Sequence, residues 1–175
     1  ADDIKDFEIE GISIGVSLLV YFSQEEINNF NNYDDMPSDM KFRIAEFYPK
    51  DYKKMKRYDA MQVYYKPEDN NFIIYGINGA LDCSINTECE TLYKNVVNDF
   101  SKNFDAGKEE KFKLTDDPSG NSHSKMYIIK LSDGDISISY KDWSKETKWQ
   151  DSVTIEMAFY EIDKWIRNNW GLGFD

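Results

Sequence analysis

Val153, Ile155, Met157 and Phe159 stand at every second position of one run, with polar Thr154 and Glu156 between them. A two-residue period puts one set of side chains on one face of an extended chain, so this run predicts a strand with one apolar face. The period returns elsewhere. Met61, Val63 and Tyr65 share a face of Tyr58–Lys66, and Ile73, Tyr75, Ile77 and Leu81 share one of Phe72–Asp82. Tyr127, Ile129 and Leu131 do so in Lys125–Ser132, and Ile136, Ile138 and Tyr140 follow the hairpin signal Asp133-Gly134. Lys41–Tyr48, with Phe42, Ile44 and Phe47, makes a sixth strand that Pro49 stops. Gly76 and Gly79 interrupt the long third strand and mark a bulge or a close approach.

Between the two sets of strands the period becomes helical. Cys89, Leu92, Tyr93, Val96, Val97, Phe100 and Phe104 form one stripe behind the capping box Thr87-Glu88-Cys89-Glu90. Seven apolar residues on one stripe read as core packing. Near the start, Phe7 to Ile14 reads as an extended lead-in. Val16–Phe30 reads as short helical turns, with Ser17 as a cap and Ser23-Gln24-Glu25-Glu26 as a second capping box. At the end, Ile162, Trp165, Ile166 and Trp170 suit a short helix. The order is α-βββ-α-βββ-α. It predicts an α+β fold with about six antiparallel strands and helices packed on one face, and is compatible with an internal duplication. A length of 175 residues suits a single domain over 1–175, with a polar linker at 105–124 between its halves.

Composition narrows the classes of partner. Lys+Arg number 21 against 33 Asp+Glu, a formal charge of −12. Such a field opposes a nucleic-acid backbone or an anionic membrane, although Lys50, Lys53, Lys54, Lys56 and Arg57 make a local basic island. No run approaches the roughly 18 apolar residues of a membrane span. Cys83 and Cys89 have neither a zinc nor a thioredoxin spacing, and a local disulfide is expected between them, which would place the chain in an oxidising compartment. The opening Ala1-Asp2-Asp3 reads as the mature end left by signal-peptide cleavage or, equally, as a trimmed chain.

Phe7-Glu8-Ile9-Glu10-Gly11-Ile12-Ser13-Ile14-Gly15, then Ser17-Leu18-Leu19, Tyr21-Phe22-Ser23 and Glu25-Glu26-Ile27, resemble the start of a group of small uncharacterised exported proteins from marine bacteria. Lys141-Asp142-Trp143-Ser144, the strand after Asp151, and Glu161 through Trp165-Ile166 resemble them as well. The resemblance implies an exported, periplasmic α+β protein and implies no activity, cofactor or catalytic residue. Val16 and Val20 stand where acidic residues are expected in that group, so a helix-end or ligand role of those acids is absent here.

No catalytic constellation emerges. His123 is the single histidine and reads as a loop residue, there is no Gly-x-Ser-x-Gly elbow, and no phosphate-cradling loop is found. Neither a cofactor nor a metal centre is expected. Asp34-Asp35 with Asp39, and Asp116-Asp117 with Asn121, offer oxygen ligands to calcium or simply solvate loops. Trp143 and Trp149 lie in a polar connection and are suited to stack on a sugar or grip a protein partner. Tyr58 and Tyr64 alternate with Met61 and Val63 and would line a second surface. The expected function is that of a noncatalytic exported module binding a small molecule or a protein. The alternatives are a hydrolase using paired carboxylates and an inhibitor or adaptor acting by surface complementarity.

Overall fold

The computed structural model describes residues 3–32, 41–83, 86–102, 104, 107–114 and 117–170. A small ribbon opens the chain, β1 (Glu8–Ile9) against β2 (Ile12–Ser13), turned by Glu10 and Gly11 at φ 53° and 79°. A 3-10 turn at Leu18–Val20, capped by Ser17, leads to α1 (Gln24–Asn29). The expected capping box is present: Ser23 Oγ accepts from the Glu26 N–H, and Glu26 Oε2 accepts from the Ser23 N–H at 2.7 Å.

The main sheet follows, with β3 (Asn31–Asn32), β4 (Arg43–Phe47), β5 (Ala60–Tyr65) and β6 (Ile74–Asp82). Helix α2 (Asn86–Ser101) crosses to β7 (Gly107–Lys113), β8 (His123–Lys130), β9 (Gly134–Asp142) and β10 (Ser152–Phe159), and α3 (Tyr160–Trp170) ends the chain. The sheet has eight strands in the order β3-β4-β5-β6-β10-β9-β8-β7, and every neighbouring pair is antiparallel. Seven of them are long, and β3 adds only two residues at one edge. The last strand, β10, enters the middle of the sheet between β6 and β9, so the strands before and after α2 form one continuous surface.

One face is the core. Val63, Ile77, Met157, Ile136 and Ile129 lie in register across it, all buried. The N-terminal ribbon and turns, through Ile9, Ile12, Ile14 and Leu18, cover one end, and α2 covers the other by packing on β9 and β10. Leu92, Val96 and Phe100 are half-buried against this core, and Tyr93 is fully buried with its hydroxyl donating to Glu109 at 3.0 Å. Each fully buried side chain of this size contributes about 1.5–3 kcal/mol.

Four expectations need correction. The strands exceed six, because Gly107–Lys113, within the expected polar linker, pairs with β8 as an edge strand. Its side chains are mostly charged, which gives no apolar alternation to read and blunts an open edge. The helices do not share a face. Helix α3 packs Ile162 and Trp165 against Phe42, Ile44 and Tyr64 on the side of the sheet opposite α2. Cys83 and Cys89 are both free thiols, buried and close but not bonded, so the disulfide and the compartment argument built on it fall away. His123 belongs to the first turn of no loop but to β8, where it is exposed and in register with Asp142. The Thr87 cap and the Trp170 side chain lie outside the described residues, as do Asp34, Asp35, Asp39 and Asp116.

Candidate functional site

Among the described residues, helix α3 covers one end of the sheet face that carries it. Its register runs in parallel rows across the strands. The first, Ile44, Tyr64, Gly76 and Ala158, lies beneath or beside α3. The second, Glu46, Gln62, Asn78, Glu156 and Ser137, is polar throughout. The third, Ala60, Ala80, Thr154 and Ser139, consists of small side chains. Three inter-strand steps give this third row a length of roughly 14 Å. Asp82, Ser152, Lys141 and Ser124 form the fourth. A band of small residues thus lies between the row of Glu46, Gln62, Asn78 and Glu156 and the row that holds Asp82 and Lys141, with Ser139 and Ser124 buried at its far end. Ala60, Ala80 and Thr154 are half-exposed, as expected of a surface without a helix above it.

The polar row is internally braced. Glu46 accepts from Gln62 Nε2 at 2.7 Å on one carboxylate oxygen and from the Tyr48 hydroxyl on the other. Asn78 Oδ1 is buried and has no hydrogen-bond partner among the described residues.

Trp143 follows β9 directly, two residues beyond Lys141, and its N–H donates to Asp151 Oδ1 at 2.8 Å. The indoles of Trp143 and Trp149 lie with centroids 5.9 Å apart and planes at 35°. Trp143 is half-buried and Trp149 is 52% exposed, with Lys148 Nζ 5.0 Å from the centroid of its ring. The Lys148 ammonium makes a cation–π contact with this ring. A turn at Ser144–Thr147 holds the loop, and Thr147 Oγ1 accepts from the Trp149 N–H.

A second loop anchors the first. Asp117 is buried and accepts from the N–H and hydroxyl groups of both Ser119 and Ser122. These donors, Ser122 foremost, hold its carboxyl down to about 2, well below the ordinary value of 3.8. Ser122 Oγ in turn accepts from the Ser144 N–H at 2.8 Å. Asp117 is therefore committed to loop structure and not to calcium, and among the described residues no group of three His, Cys, Asp or Glu is placed to hold a metal ion.

The two tyrosines expected on a common surface are separated. Tyr64 is on the α3 face but buried beneath the helix. Tyr58 lies on the core face, its ring over Gly79, where a Cβ would meet it at 2.7 Å. Burial raises its hydroxyl to about 12. Trp143 and Trp149 are brought together. The row of small residues, separated from them by the row of Lys141 and Ser152, was missed in the sequence, although Ala60, Ala80, Thr154 and Ser139 occupy positions that alternate with core residues.

No family model, curated protein or solved structure matches the chain. No helix among the described residues is long and apolar enough to cross a membrane.

Proposed function

We propose that the protein is a noncatalytic, exported module that binds neutral saccharides at the Trp143–Trp149 pair and along the polar rows on the α3 face of the sheet. The observation that carries this reading is the exposed Trp149 indole, braced by Trp143, at the end of a surface of hydroxyl, amide and carboxylate side chains. The C–H face of a pyranose packs on an indole while its hydroxyls need closely spaced donors and acceptors. Charge supports a neutral ligand. Lys141, Lys145 and Lys148 are balanced in the same stretch by Asp142, Glu146 and Asp151. The export part rests on the resemblance of the sequence alone.

Neither alternative gains comparable support. On the open face Glu46 and Glu156 sit three strands apart, their backbones roughly 14 Å from each other, beyond the ~6.5–9.5 Å of an inverting pair; Asp135, which lies nearer Glu156, is buried. An adaptor role finds exposed Leu19 and Val20 on the 3-10 turn, but two side chains are far less than an interface needs.

Titration of the intrinsic tryptophan fluorescence with soluble neutral oligosaccharides tests the proposal. At least one is expected to shift the emission saturably, with Trp149→Ala weakening binding tenfold or more at unchanged thermal midpoint. Equal affinity of that variant would contradict the assignment.

A further inference from the structure

Cys83 follows β6 and Cys89 lies in the first turns of α2, and both thiols are buried in the same core, near each other but not bonded; the Cys83 thiol donates to the Leu81 carbonyl at 3.7 Å. The backbone of Cys83 is fixed from both sides. Its N–H donates to the Asp151 carbonyl, and its carbonyl accepts from Gln150 Nε2, each at 3.2 Å. Tyr140 of β9 is buried in the same core, its ring tilted at 39° to that of Tyr93, and its hydroxyl has no hydrogen-bond partner among the described residues. Tyr93, whose ring lies 6.3 Å from that of Tyr140, stands one helical turn beyond Cys89 on α2. A buried donor without an acceptor, next to two buried thiols, is a polar nest left incomplete.

We infer that Cys83 and Cys89 form a two-coordinate seat for one soft monovalent d10 cation, Cu(I) in chemical class, with Tyr140 as a positioning residue. Thiolate sulfur selects such ions. Zinc demands four ligands, and no third His, Cys, Asp or Glu among the described residues completes a group. On binding, two S–H bonds break and two S–metal bonds form, two protons leave to solvent, and no electrons change hands. The Tyr140 O–H then donates to a thiolate sulfur, the partner it lacks in the metal-free protein.

The test uses Ag(I), a redox-inert stand-in, added to the reduced full-length protein without oxygen. One equivalent is expected to bind, with ultraviolet thiolate-to-metal absorption and release of two protons. Cys83→Ser and Cys89→Ser should each weaken this step at least a hundredfold. Tyr140→Phe should keep the stoichiometry and lose about tenfold in affinity. Because a serine variant can disturb the core, X-ray absorption of wild-type protein loaded with Cu(I) provides a second reading, expected to find two sulfur neighbours. No uptake by the wild type, uptake unchanged in either folded serine variant, or a metal shell of nitrogen and oxygen would overturn the site.

Discussion

Asp117 shows how one side chain sets the shape of a distant loop. Its carboxylate gathers Ser119 and Ser122, and Ser122 passes the constraint to Ser144 beside the indole pair. The folded state holds this carboxyl at about 2 against an ordinary 3.8. Because the folded value is the lower one, the stabilisation is fully present above 3.8 and is lost as pH falls toward 2. Tryptophan emission of the wild type should therefore change between pH 4 and 2, and Asp117→Asn should show a smaller change across that window. Identical acid profiles for the two proteins would contradict the role given to Asp117. Tyr58 marks the limit of what residue patterning reveals. Alternation from Met61 and Val63 assigned it to the outer surface, but strand pairing begins only at Ala60, with the Asp59 N–H bonded to the Ala80 carbonyl. Freed from the ladder, the ring turns onto Gly79, whose missing side chain leaves the space. The glycine announced a close approach, but nothing in the sequence named the ring that makes it.

Among the elements, the long stripe of α2 and the alternation of β5, β8, β9 and β10 were legible because each has an apolar face at its own period; in β6 a register shift turns Tyr75 to the α3 side and Ile74 to the core. Strand β7 was not, because an edge strand with charged side chains on both sides carries no such pattern. The placement of α3 was also hidden. A stripe says that a helix is buried, and not on which side. The choice follows from the tight passage of β10 into α3 and from Phe42, Ile44 and Tyr64, whose positions alternate with the main core. Trp165 packs there against Phe42, with ring centroids 5.3 Å apart. Truncation to alanine should cost about 3–5 kcal/mol in chemical denaturation, as for other buried large aromatics. A loss below 1 kcal/mol would mean that α3 does not seal that end of the face.

At the scale of the whole molecule, the sheet separates two environments. One face carries the apolar mass of the protein, and the other is apolar under α3 and at Met126 and Ile128 of β8 and polar between them. A net charge of −12 surrounds both. The one loop that presents paired indoles is locally neutral, so recognition there should depend on stacking and hydrogen bonds, not on field. The affinity for a neutral saccharide should then stay within twofold between 50 and 500 mM salt, because screening over a few ångströms removes only charge-driven binding. Steep weakening with salt would point to a charged partner instead. Electrophoresis through native gels cast with neutral polysaccharides puts the surface itself on trial. The wild type should be retarded by at least one of them, and both Trp149→Ala and Ala80→Arg, which fills the band of small residues, should run as in a plain gel. Retardation of all three proteins alike, or of none in any gel, would contradict the assignment of this face to saccharide binding.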